Sequence, residues 1–334
     1  MDGSIQSRVA AHPPPPAISR RTDHLRNALG VLVSSLLAQK DVTDVYLNPP
    51  EQVGQPGEVW VVRHGEDPAV CGAMTADEAL RLITAVAGTL DTVVTRDRPF
   101  VEGELFGDGP RFEGLIKPAV LGPCWAVRNP ASRVYTLAEY EARGDITARQ
   151  REILEDAILR RLNIVAVGGT GCGKTTFLNA LAEGVARLTP AHRMLTIEGA
   201  RELRIASRNK VQLRTSPGFD EHMALRAGLR LNIDRVWVGE VRGAEVIRML
   251  DAWNTGHSGG GCSLHSDTAT PDDALLRIEQ MAALATPAPQ QRLISRLVNL
   301  IVCLERDARG RRRVTQIVRV QGWDGTDYTL ETEN

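Results

Sequence analysis

Ile164-Val165-Ala166-Val167-Gly168-Gly169-Thr170-Gly171-Cys172-Gly173-Lys174-Thr175 runs four apolar residues into a glycine-rich turn closed by a lysine and a threonine. Residues 168–175 match GxxxxGK[ST], with a strand pattern before them and a helical pattern after them. Each part suits a phosphate. Glycines let the backbone fold tightly and turn its N–H groups inward. A helix starting at Lys174 offers unpaired N–H groups and the positive end of its dipole. Lys174 has the reach for β- and γ-phosphates, and the Thr175 hydroxyl suits Mg²⁺. The expected nucleotide contacts are therefore Gly168, Gly169, Thr170, Gly171, Cys172, Gly173, Lys174, Thr175 and Thr176. Cys172 reads as a small residue the loop tolerates rather than as a reactive thiol.

Downstream of this loop, short apolar strands alternate with amphipathic helices. Strand patterns at 194–197, 211–214, 236–238 and 262–264 are interleaved with helical patterns at 174–188, 221–231, 244–253 and 272–284. That alternation predicts an α/β domain with a parallel sheet covered on both faces. Upstream, Thr147-Ala148-Arg149-Gln150 has the capping-box form and opens a helix over 148–161. Residues 131–147 carry few apolar side chains and read as a linker with one short helix. Residues 23–130 read as a smaller mixed α+β domain. Leu25, Leu29, Leu32 and Leu36 make a helical face, and a second capping box at Thr75-Ala76-Asp77-Glu78 opens a helix to about Leu90. Short strands flank these helices. Residues 1–22, with prolines at 13–16, read as a flexible tail.

The chain has 334 residues, enough for two domains, with 43% hydrophobic and 24% charged residues. Its net charge of −1 and 4% aromatic content argue against direct nucleic-acid binding through a basic coat or a stacking platform. Five scattered cysteines with no CxxC pair suit reduced thiols rather than a disulfide framework or zinc ribbon. No apolar run reaches the ~18 residues of a membrane span. A cytoplasmic protein is expected. Lys174 is one of only four lysines among 40 cationic residues.

Hydrolysis of a nucleotide needs carboxylates beside the loop. Val236-Trp237-Val238-Gly239-Glu240 is an apolar strand ending in an acid, the form that places a carboxylate beside bound Mg²⁺. Leu195-Thr196-Ile197 runs into Glu198 and Glu202, either of which could hold a water for in-line attack; a solvated loop is the plainer alternative. Gly239 to Gly243, Asn254 to Gly261 and Leu264-His265-Ser266 suggest a γ-phosphate sensor. His257 and His265 lack the third ligand of a zinc site. Arg309, Arg311, Arg312 and Arg313 read as a solvated hairpin turn around Gly310.

Taken in order, the phosphate loop, the Thr-Ile-Glu stretch, Gly-Glu-Val-Arg-Gly, Asn-Thr-Gly-His and Leu-His-Ser resemble the traffic ATPases of bacterial secretion. Within them the chain is most similar to the conjugal-transfer ATPases of type IV secretion, the TrbB type. Val59-Trp60-Val61, Glu102 to Leu105, Arg111 to Gly114 and Val127 to Pro130 resemble that family's first domain. The resemblance implies a RecA-like P-loop domain over 148–334 and a homohexameric ring using ATP and Mg²⁺. It implies inner-membrane channel and coupling proteins as partners, and peripheral association with the inner membrane through them. It implies Glu240 as the acid near the metal, shared with Thr175. Glu202 becomes the catalytic carboxylate, with Glu198, Arg242 and His265 beside it. Arg111 and Arg128 become phosphate contacts of the first domain. Gly199 departs from the family pattern, which has an aspartate there. That departure keeps open a second reading, a nucleotide-binding structural switch with little hydrolysis. A pilus-retraction or type II secretion ATPase shares the C-terminal boxes; the four-cysteine zinc module that the type II branch often adds is absent here.

Overall fold

The structure, a computed structural model, describes residues 16–50, 52, 54–107, 109–130, 133–199, 201–216, 218–307 and 310–333, with side chains from residue 20 onward. The proline run up to Pro15, and Arg309 of the basic turn, lie outside the described residues. The chain divides into two compact units, residues 1–132 and 133–334.

The first unit holds helix α1 (Pro16–Leu37), strands β1 (Val42–Leu47), β2 (Gly57–Arg63) and β3 (Ala69–Met74), helix α2 (Ala76–Thr89), and strands β4 (Phe100–Glu104), β5 (Arg111–Leu115) and β6 (Cys124–Arg128). The expected tail is too long by seven residues: helix begins at Pro16, where a proline costs no hydrogen bond. Gly30 breaks this helix, with φ at +69°. The six strands form an antiparallel sheet in the order β3-β2-β1-β6-β5-β4. Leu25, Leu29, Val33 and Leu36 of α1 join Leu82, Ile83 and Val86 of α2 and the inward residues of the sheet in one core. Each such fully buried aliphatic side chain contributes about 1.5–3 kcal/mol. The box at Thr75 closes as expected: its hydroxyl accepts from Glu78 N, and Glu78 accepts from Thr75 N.

The second unit runs α3 (Leu137–Ala142), α4 (Ala148–Leu159), β7 (Ile164–Gly168), α5 (Lys174–Leu188), β8 (Met194–Glu198), β9 (Lys210–Arg214), α6 (Glu221–Gly228), β10 (Arg235–Val238), α7 (Glu245–Asn254), β11 (Gly261–His265), α8 (Pro271–Ala283), α9 (Gln291–Leu297), β12 (Leu300–Arg306), β13 (Arg312–Trp323) and β14 (Tyr328–Thr332). Residues 133–147 are part of this unit rather than a linker. Leu137 and Tyr140 of α3 are buried, and Tyr140 meets Phe177 of α5 edge-on at 5.8 Å. A third capping box, Thr136 with Glu139, starts that short helix.

Eight strands form one sheet in the order β14-β13-β12-β7-β11-β10-β8-β9. From β12 to β9 every pairing is parallel; β13 and β14 add an antiparallel edge. The period of two sorts β7 between two cores. Val165 and Val167 pack with α6 to α9 on one face, while Ile164 and Ala166 pack with α3 to α5 on the other. Because these strands are parallel, β7, β11, β10 and β8 all end on one rim of the sheet. All five cysteines are free: Cys71 and Cys124 are half-buried in the first unit, and Cys172, Cys262 and Cys303 are buried in the second. No described helix is long and apolar enough to cross a membrane.

Candidate functional site

The rim is built around the turn after β7. Gly171 (φ +74°) and Gly173 (φ +97°) take the left-handed backbone that a tight loop requires, and Gly173 caps α5 without any side-chain bond. The first-turn N–H groups of α5 therefore face the loop with no cap of their own. Gly168 permits a close approach: a Cβ there would lie 2.3 Å from Leu304 O and 2.6 Å from Cys172 Sγ. Lys174 Nζ donates to Gly168 O at 2.7 Å and Gly169 O at 2.9 Å, so the lysine lies folded over the loop. Gly169, Thr170 and Gly171 form the loop's crest, and Thr176 lies in the first turn of α5. Burial pushes the Cys172 thiol above its ordinary value despite the nearby Lys174 charge.

The two glutamates after β8 take different positions. Glu198 is buried, and its Oε1 accepts from Glu202 N at 3.1 Å and Leu203 N at 2.9 Å. It thus shapes its own loop. Glu202 Oε2 instead accepts from the Thr175 hydroxyl at 3.3 Å. Asn179, fully buried on α5, fixes this arrangement: its Nδ2 donates to Glu202 O and its Oδ1 accepts from Arg204 N at 2.6 Å. Gly239 makes room for Glu198, since a Cβ there would sit 2.8 Å from Glu198 Oε1.

Beyond β10, Glu240 Oε2 accepts from Arg242 Nε at 2.9 Å and Nη2 at 2.5 Å. Glu240, first by hydrogen bond and then by charge, holds the Arg242 guanidinium above its ordinary range, and Glu202 and Glu245 add to this. Glu245 Oε1 accepts from Arg242 N and Gly243 N, and the buried Ser263 hydroxyl donates to Gly239 O at 2.7 Å. His265, the last residue of β11, pairs in register with Gly168 and lies 3.3 Å from Asp267 Oδ1.

The structure thus gathers Lys174, Thr175, Glu198, Glu202, Glu240, Arg242 and His265 on one rim. The Asn254 to Gly261 stretch, expected with them, lies at the opposite edge of the sheet. There Val236 N donates to His257 O and Ile164 N to Gly260 O, both at strand beginnings. Those glycines serve packing: a Cβ at Gly260 would lie 2.0 Å from Val236 O. Asn163 Oδ1 and the buried Arg235 hold the same edge through Gly259 N, Gly260 N and Gly259 O. Arg111 and Arg128 are exposed register partners in the first unit, and Arg128 Nε donates to Asp44 Oδ1 at 2.8 Å. Asn179, Ser263, Glu245 and Asp267 were missed in the sequence, where single polar residues among apolar neighbours form no pattern.

The arrangement fits a nucleoside polyphosphate. A glycine cradle, a lysine that donates to two loop carbonyls and an uncapped helix start supply donors and positive charge. Among the described residues no group of three or more metal-ligating side chains occurs.

A sequence profile described as "Type II/IV secretion system protein" matches residues 112–324. The "Probable conjugal transfer protein TrbB" of Sinorhizobium fredii is 38% identical over 309 residues, covering 92% of each chain. The "Conjugal transfer protein TrbB" of Rhizobium radiobacter is 36% identical, covering 97% of this chain and 96% of its own. The X-ray structure of the Legionella pneumophila ATPase DotB is similar in fold, with a TM-score of 0.59 at 17% identity over 93% of this chain and 82% of that one.

Proposed function

Because this chain belongs to the type II/IV secretion system proteins, alongside conjugal transfer proteins of the TrbB type, we propose that it is an ATP hydrolase driving a conjugation or type IV secretion apparatus. The observation that carries this is the hydrogen bond from Thr175 to Glu202 on a rim shared with Lys174, Glu240 and His265. It puts a carboxylate next to the hydroxyl that follows the phosphate-loop lysine.

On this reading the second unit is RecA-like. When bound, Mg²⁺–ATP brings the anhydride to be cleaved and a metal that neutralises phosphate charge. Lys174 leaves the loop carbonyls to grip the β- and γ-phosphates. Thr175 and Glu240 would hold the metal. Glu202 orients the attacking water and accepts its proton. His265 stands beside the loop as the γ-phosphate contact, and Arg242 steadies Glu240 until phosphate charge draws it away. Glu198 keeps the Glu202 loop in shape. The bond from Thr175 to Glu202 supports a working site despite Gly199, since it supplies a carboxylate from the same loop. A homohexameric ring is the assembly, attached to the inner membrane through channel and coupling proteins.

Steady-state phosphate release from Mg²⁺–ATP, with Lys174→Ala beside the native chain and protein concentration varied, tests this. Turnover per subunit should rise with concentration and vanish in the variant. Binding of ATP without release above the Lys174→Ala level would favour a nucleotide-bound structural switch.

A further inference from the structure

The assigned groups approach the phosphate loop from one flank, that of β11, β10 and β8. The other flank belongs to β12 and β13. Strand β12 pairs with β7 as far as Cys303 opposite Val167, then runs on through Leu304, Glu305 and Arg306 beside the loop. Strand β13 returns with Arg312 opposite Arg306 and Val314 opposite Leu304. This overhang is anchored. Arg311 N donates to Asp307 Oδ1, Arg311 Nη2 donates to Arg143 O and Gly144 O, and Val314 N donates to Asp145 O.

Arg312 lies against the loop itself. A Cβ at Gly173 would be 3.1 Å from Arg312 Cδ and 4.0 Å from its Nε. Among the described residues no carboxylate or carbonyl holds its guanidinium. It faces a like charge, Arg306, directly across the hairpin, an arrangement that destabilises a strand pair. It also stands next to Lys174 and the positive end of α5. An anchored hairpin that brings Arg312 to an uncapped helix start, with Arg306 across from it and on the flank with no carboxylate of the site, is organised for an anion.

We propose that Arg312 is a phosphate-binding residue of its own chain's site, gripping the nucleotide polyphosphate from the β12 flank opposite Glu202. This rests on the nucleotide reading above. Arg312 binds the polyphosphate directly, fixes where it lies and leaves the water to Glu202. A guanidinium offers two parallel N–H groups to a phosphate, and a hydrogen bond to a charged group contributes about 1.5–3 kcal/mol.

The test is titration calorimetry on the full chain with two probes, Mg²⁺–ADP and inorganic tripolyphosphate, for native protein, Arg312→Ala, Arg312→Lys and Lys174→Ala. Arg312→Ala should weaken both probes about ten- to a hundredfold. Arg312→Lys should recover most of that loss, and unchanged melting temperatures would show that the fold is intact. In turnover, KM should rise more than kcat falls. Loss of ADP affinity with tripolyphosphate binding unchanged would overturn the proposal in favour of contact with the base. So would Arg312→Ala binding within about twofold of native while Lys174→Ala binds neither probe; the nucleotide reading would then stand without Arg312. Native protein that binds neither probe would fail both readings together.

Discussion

Glu198 and Glu202, four residues apart, divide two tasks that their sequence leaves undivided. Glu198 closes its own turn; Glu202 reaches the phosphate-loop threonine. Glu202→Gln should therefore lower ATP turnover by about a hundredfold or more, the scale of a lost general base, while Mg²⁺–ADP still binds. Glu198→Ala should behave differently. It leaves two backbone N–H groups without their acceptor, at about 1–3 kcal/mol, and should lower the melting temperature as well as activity. Equal melting temperatures for the two variants would contradict this division. At this scale the sequence is legible where spacing carries chemistry, as in Gly173-Lys174-Thr175. It is silent at Asn179, whose amide pins the Glu202 loop from inside a helix face shared with Leu178 and Leu181.

Among elements, β10 begins with a fully buried arginine. Arg235 Nε donates to His192 Nδ1, and its Nη2 donates to Ile158 O, tying β10 to the ends of α4 and the approach to β8. Burial first, then the Arg235 charge, lowers the His192 pKa from its ordinary 6.5, with Asp234 opposing. The folded state thus disfavours the proton. Stability from this contact is complete above pH 6.5 and is lost as pH falls through the lowered folded value. Melting temperature should drop on acidification from pH 6.5 down towards the lowered folded value, and less steeply in His192→Gln; identical pH profiles would contradict it. The elements around the phosphate loop follow from periodicity because apolar strands there alternate with long amphipathic helices. The C-terminal hairpin β12–β13–β14 was harder to read. A register shift between Cys303 and Leu304, and another between Val320 and Gly322, interrupt the alternation that marks strands. Helix α3, six residues long, shows no periodicity, although its Thr136 to Glu139 box has the same form as those at Thr75 and Thr147.

For the whole molecule, two separate cores make two cooperative units the natural expectation. Differential scanning calorimetry should resolve two transitions. Mg²⁺–ADP should raise the one belonging to residues 133–334, by about 2.7 kcal/mol at a hundred times its Kd. A single transition that ADP leaves in place would contradict both the division and the site. The boundary was only roughly legible, because residues 133–147 have few apolar side chains. Of those few, Leu137, Tyr140 and Ile146 are buried in the second unit's core.

The distribution of thiols between these units makes the chain its own labelling reagent map. Burial raises all five thiols, yet only Cys71 and Cys124 have a solvent-facing side, and both belong to the first unit. Cys172, Cys262 and Cys303 sit inside the second. A maleimide dye added to the native chain thus colours the first unit, and the second stays dark until it opens. Alkylation of the three remaining sulfurs becomes a clock for that opening, with Cys172 keeping time from within the phosphate loop.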